Sequence, residues 1–247
     1  MSYAPREAYE LRKQNSAVLK LERIATLIVA LKRDGHTSDA DVMKEYTREV
    51  EKLNRDFFLP NGKFQIPYNP KLEATSLIVE KCRYMSSKMV PLWLVFRNAD
   101  AEAPPIYIIF KSGDDLRQDI LTLQLLRVMD QTWLQNGQDM RMKPYACIAT
   151  GVNDNHEGVG MIEVVMNSDT TSGIQLKYGG GAVGALKLDP IERFISDHNK
   201  PGKDYDHAVR YLPPPYLLLL PLLCCSAAAL LLLSAALCCS LPAFDML

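Results

Sequence analysis

The chain has no surplus of charge. Its 28 basic and 29 acidic side chains nearly cancel, and Asp245 is the one charged residue after Arg210. Residues 1–210 therefore carry 28 of each sign, which gives no general field for nucleic acid; no nucleic-acid partner is expected. Metal-binding spacing is missing as well. Cys82 and Cys147 stand alone, Cys224-Cys225 and Cys238-Cys239 are adjacent pairs, no C-x-x-C occurs, and His36, His156, His198 and His207 are scattered. That pattern argues against a zinc site. The N-terminal MSYAPREAYELRKQ has no apolar h-region, so a secretory signal is not expected, and the body reads as cytosolic with reduced thiols.

A chain of 247 residues suits one large domain or two small ones. Residues 6–56 read as helical. Leu11, Val18, Leu21, Ile24, Ala25 and Ile28 recur at helical spacing, and after a turn at Asp34-Gly35-His36-Thr37-Ser38 the run resumes with Val42, Tyr46, Val50 and Leu53. Prolines and Asn61-Gly62 then read as a linker over 59–75. Four β-like runs follow at 76–80, 93–96, 106–110 and 145–150, each β-branched or aromatic. Between the last two, Leu116 to Trp133 is apolar nearly all round, the pattern of a helix buried against a sheet. Residues 161–166 read as another strand or a hinge-like run, and Asp189-Pro190 as a helix start. The whole reads as an α+β lobe.

The sharpest local pattern is Phe110-Lys-Ser-Gly-Asp-Asp-Leu-Arg-Gln-Asp119. A lysine ends an apolar strand, a Gly-Asp-Asp turn follows, and a helix carries Asp119 back toward the strand end. An ammonium held near carboxylates is a fixed charge suited to nucleotide phosphates. On spacing alone, an ordinary strand–turn–helix with surface charges fits equally well. A second glycine pattern, Gly179-Gly-Gly-Ala-Val-Gly184, satisfies G-x-G-x-x-G, but the next helix signal comes only at Pro190. It therefore reads as a loop and not as a dinucleotide cradle.

The wording of these segments adds more. Residues 108–124, IIFKSGDDLRQDILTLQ, resemble the signature of phosphoinositide 3-kinases. Met85-Ser-Ser-Lys88 with Pro91-Leu-Trp93 resembles their phosphate loop, Met140-Arg-Met-Lys-Pro-Tyr145 the strand before the hinge, and Gly160-Met-Ile-Glu-Val-Val165 with Asn167-Ser168 and Thr170 the hinge and its exit. Phe64-Gln-Ile-Pro-Tyr-Asn-Pro70 resembles the connection from the helical scaffold domain. The similarity runs from about residue 10 to 209, in order, and agrees with the class I catalytic subunits. It implies a protein-kinase-like N-lobe, an antiparallel sheet plus packed helix, with hinge and the start of a helical C-lobe. By the same resemblance, 1–58 is the end of the scaffold and 76–209 a partial kinase domain. It further implies that Ser87 and Lys88 contact ATP phosphates and that Trp93 covers the adenine. Lys111 binds phosphate, and Asp114, Asp119 and Tyr145 form the inner pocket. Glu163 and Val165 bond adenine through their backbones, so Glu163→Ala should matter little to that binding. Ile109 and Ile162 are apolar walls, and Ser168 lies at the hinge exit. ATP with magnesium, phosphoinositide lipids and a regulatory subunit are the implied cofactors and partners, at the cytoplasmic face of membranes.

The resemblance stops near Tyr205-Asp-His-Ala-Val209. The D-R-H-x-x-N and D-F-G motifs that the family uses for base and metal ligands do not occur in the sequence. No catalytic residue and no metal ligand is therefore expected here, and the chain alone is expected to be inactive. The region that binds a regulatory subunit is not found either. The tail 210–247 is rich in Leu, Ala, Cys and Pro. It reads as non-native text, a palmitoylated anchor, or a membrane span interrupted by Pro213-Pro-Pro215 and Pro221. The alternative function is a non-catalytic nucleotide- or partner-binding fragment, tethered to a membrane by that tail.

Overall fold

The computed structural model describes residues 5–85, 87, 89–140, 142–166, 168–169, 171–179 and 189–210. Lys88, residues 180–184 of the glycine pattern and the tail from Tyr211 onward lie outside the described residues. The chain divides into two compact units, Met1–Arg117 with Ala146–Val164, and Gln118–Tyr145 with Val165–Leu247.

The first unit opens with α1 (Pro5–Asp34), whose buried stripe is Ala17, Leu21, Ile24, Ala25 and Ile28. Gly35, at φ +69°, supplies the left-handed residue that ends it. Helix α2 (Asp39–Leu53) starts where Ser38 Oγ accepts the Asp41 N–H at 3.2 Å, with Asp39 and Asp41 at its positive end. Its buried residues are the four of the expected stripe, Val42, Tyr46, Val50 and Leu53. A π-turn at Asn54–Phe58 then swings Phe57 and Phe58 inward, and Asn54 Oδ1 accepts the Leu77 N–H at 2.8 Å.

The stretch 59–75, expected as a linker, contains a short turn α3 (Leu59–Asn61), strand β1 (Phe64–Ile66) and most of β2 (Asn69–Leu77). Pro67 lies in the turn between β1 and β2 and Gly62 between α3 and β1, and Phe64 and Ile66 alternate inward. Strands β3 (Arg83–Tyr84), β4 (Leu92–Asn98), β5 (Ile106–Ser112), β6 (Cys147–Val152) and β7 (Gly158–Glu163) complete an antiparallel sheet in the order β1-β2-β4-β5-β7-β6, with β3 beside β4. The α1 and α2 stripes, Phe57 and Phe58, and the strand residues Leu92, Leu94, Phe96, Ile108, Phe110 and Met161 form one core. Phe58 sits edge-on to Phe57, Phe64 and Phe96 at 5.1–5.3 Å. Such aromatic pairs add about 0.5–1.5 kcal/mol each beyond the area they bury.

The second unit holds α4 (Arg117–Gln135), α5 (Thr171–Gly179), α6 (Asp189–His198) and α7 (Lys203–Arg210). Ile174, Ile191, Phe194, Ile195 and Ala208 make its small core, with Tyr178 and Tyr205 packed on it. Helix α4 departs from expectation. Only Asp119 and Leu123 are buried on it, while Leu121, Leu125, Val128 and Leu134 are more than half exposed. Apolar residues all round a helix state its hydrophobicity but do not state what covers it.

Candidate functional site

Strand register builds the site. On β4 and β5, Trp93 pairs with Ile109; on β5 and β7, Ile109 pairs with Ile162. Directly paired residues share one face of a sheet, with Cβ atoms roughly 4.5–5.5 Å apart. An indole and two aliphatic chains therefore form a row across three strands. Two residues along β5, on the same face, comes Lys111, paired with Gly160. Three expected wall residues and the expected phosphate lysine are thus brought together by pairing alone.

Lys111 is nearly buried, and its Nζ lies 2.7 Å from Asp114 Oδ2. Gly113 between them has φ +99°, a conformation that suits glycine and lets the chain double back within three residues. A buried ammonium would be costly alone; the carboxylate offsets that cost and fixes where the charge points. Next in the turn, Asp115 is gripped by Arg117 Nη2 at 2.6 Å and Nε at 2.9 Å. Those bonds hold the Asp115 carboxyl down at about 2. The turn borders a cleft of about 590 Å³ lined by Gly113, Asp115, Leu116, Thr150, His156 and Gly158, among others.

Trp93 is half-buried and supported on several sides. The Arg83 guanidinium lies 4.6 Å from its ring, the Tyr107 ring 6.2 Å away edge-on, and the Tyr46 hydroxyl donates to its carbonyl at 3.4 Å. Sequence reading missed Arg83 and Tyr107. The period of two through Ile109 and Lys111 could have found Tyr107; β3 is only two residues long and gives Arg83 no readable signal.

Glu163 ends β7. Its N–H donates to the Ala146 carbonyl, and its carboxylate Oε2 accepts the Ala146 N–H, both at 2.8 Å. This carboxylate pins the residue before β6, a structural duty beside the backbone contact expected of Glu163. Ser87 is exposed, in a tight loop where Val90 N–H donates to its carbonyl and Val90 has φ +44°.

Four expected site residues belong to the second unit. Asp119 and Tyr145 are both buried, and the Tyr145 carbonyl accepts Arg127 Nη2 at 3.0 Å. Val165 lies two residues past β7, and the Ser168 hydroxyl donates to its carbonyl at 2.6 Å. Magnesium finds no fit: Asp114 is committed to Lys111 and Asp115 to Arg117, and among the described residues no three acidic, His or Cys side chains converge. Among the described residues no helix is long and apolar enough to cross a membrane.

An apolar row ending in a carboxylate-paired ammonium suits a flat ring with an anionic extension. Comparison with known proteins gives the family. Residues 105–214 match the family model described as phosphatidylinositol 3- and 4-kinase. Over 200 residues the chain is 44% identical to phosphatidylinositol 3-kinase 1 of Dictyostelium discoideum, covering 81% of this chain and 12% of that protein. It is 42% identical over 201 residues to phosphatidylinositol 3-kinase 2 of the same organism, again 81% of this chain and 10% of the relative. A human relative, phosphatidylinositol 4-phosphate 3-kinase C2 domain-containing subunit beta, is 41% identical over 156 residues, 63% of this chain and 9% of its own. The chain thus spans about a tenth of the length of the relatives it matches. With that family model and this identity across four-fifths of its length, the chain belongs to the phosphatidylinositol 3- and 4-kinase family.

Proposed function

We propose that this chain supplies the ATP-gripping part of a phosphatidylinositol 3-kinase, which phosphorylates the 3-hydroxyl of inositol lipids. The observation that carries the reading is the Lys111–Asp114 pair at 2.7 Å, standing on the same sheet face as the Trp93–Ile109–Ile162 row. In this reading the row sandwiches adenine, and the backbone at Glu163 and Val165 bonds its edge. Lys111 meets the phosphates, with Ser87 contacting them from its loop. Asp114 orients Lys111 until the nucleotide arrives. Positioning of this kind lowers the entropic part of a phosphoryl-transfer barrier but leaves the developing charge unmet.

The sequence contains no D-R-H-x-x-N and no D-F-G, so transfer by this chain alone is not part of the proposal. The lipid substrate, a regulatory subunit and work at the cytosolic face of a membrane belong to the whole enzyme. Labelling by an ATP acyl phosphate, a lysine-reactive analogue, tests the reading. Lys111 should be modified, excess ATP should protect it, and Lys111→Met should abolish the signal. Labelling unchanged in Lys111→Met would overturn it.

A further inference from the structure

We infer that the β6–β7 turn, from Asn153 to Gly158, positions the Lys111–Asp114 pair, and that Asn153 is its positioning residue. The inference rests on the nucleotide role proposed for Lys111.

The Gly113–Asp114–Asp115 turn follows the end of β5, and something outside it must fix its place. That role falls to one carbonyl. Gly158 O accepts both the Gly113 N–H at 2.8 Å and the Asp114 N–H at 3.1 Å. The approach is close enough to require glycine: a Cβ on Gly158 would lie 2.7 Å from Asp114 O and 2.8 Å from Asp115 Cα. Both are backbone atoms and cannot turn aside. Where Gly158 goes, Asp114 follows, and with it the carboxylate that holds Lys111.

Asn153 in turn fixes Gly158. Its Oδ1 accepts the N–H groups of Asn155 at 3.0 Å and Glu157 at 2.9 Å, closing the turn from inside. Its backbone N–H donates to the Glu157 carbonyl at 2.8 Å, one residue before Gly158. Its Nδ2 donates to Glu157 Oε2 at 3.0 Å and to Ser112 Oγ at 3.4 Å. Ser112 is the neighbour of Lys111 on β5. One amide thus spans the turn and reaches the strand that carries the lysine. An amide suits this position because it carries an acceptor on one side and a donor on the other.

Asn153→Asp separates these duties in the full chain. It keeps the acceptor side that shapes the turn, and replaces the donor contact with two facing carboxylates. The double variant Asn153→Asp/Glu157→Gln restores a donor from the other partner. ATP acyl-phosphate labelling of Lys111 should slow about tenfold in Asn153→Asp and recover in the double variant. Reaction of Lys111 with a small amine reagent, which needs no nucleotide, should move the opposite way: faster in Asn153→Asp, back to the parent rate in the double variant. Gly158→Ala, which presses on Asp114 directly, should reproduce both changes. Parent-like rates in Asn153→Asp and Gly158→Ala would overturn the inference, as would losses that the double variant fails to restore. If the parent is not labelled by the ATP probe, the nucleotide reading fails, and the amine reagent alone decides whether the turn positions the pair.

Discussion

Glu163 holds Ala146 twice, once through its backbone N–H and once through its carboxylate, each at 2.8 Å. The second bond ties the end of β7 to the residue before β6 with a charged acceptor. Glu163→Ala should therefore lower stability by about 1–2 kcal/mol, while Glu163→Gln, which keeps an acceptor, should lose less than half of that. Urea unfolding midpoints at constant slope give both values. Equal midpoints for the Ala variant and the parent would show that the bond contributes nothing.

Val165 follows β7 by two residues, and the proposed adenine contact there is a backbone N–H. Val165→Pro removes that donor. It should weaken an ATP-competitive ligand by about 1–3 kcal/mol in calorimetry, whereas Val165→Ala should stay near the parent. Equal affinities for the Pro and Ala variants would remove the hinge from this segment.

Cys82 lies buried beside β4, where the Val95 N–H donates to its Sγ at 3.3 Å. Burial, partly opposed by that bond, pushes the thiol from 9.0 up to about 11. The folded chain keeps a proton that the unfolded chain loses first. Its contribution is fully present below pH 9 and disappears as pH rises from about 9 to 11, by up to roughly 2–3 kcal/mol. A Cys82→Ser chain should lose stability less steeply across that window. Tyr68, half-buried and also pushed up mainly by burial, acts alike in both chains, and Tyr46 nearly so, because burial outweighs the Cys82 charge among the causes of its shift. Identical slopes for the two chains would rule the linkage out.

Purified alone, the chain should not transfer labelled phosphate from ATP to phosphatidylinositol above a Lys111→Met control. Electrostatic stabilisation of the transferring group is usually the largest catalytic term, and the sequence holds neither motif that the family uses for it. The deficit should be on the order of 10³ or more in rate. Clear turnover lost in the control would mean that residues of this chain do that work.

What the sequence made legible is what depends on local period. The stripe Val42, Tyr46, Val50 and Leu53 was readable because i, i+4 spacing repeats over a helix of 15 residues. Lys111 and Asp114 were readable because the turn joining them is three residues long. Contacts set by pairing across distant segments were not. Arg83 reaches Trp93 only because a two-residue strand lies beside β4, and the need for glycine at 158 comes from a backbone 44 residues earlier in the chain. The prolines of 59–75 do not keep the stretch out of regular structure: Pro60 sits in the turn α3, Pro67 in the tight turn between β1 and β2, and Pro70 at the second residue of β2.

The shared core under the sheet has a practical side. Leu92, Leu94, Phe96, Ile108 and Phe110 are sealed by the same cluster that contains Leu21, Ile28, Tyr46 and Phe58. Cloning boundaries drawn at the proline-rich stretch would leave one greasy sheet face wet and two amphipathic helices without a floor. Expression vectors and chimaeras that carry the Lys111 strand must also carry residues from about Ala17 onward. In the same way, evolution could exchange this strand cluster between proteins only with its helices attached.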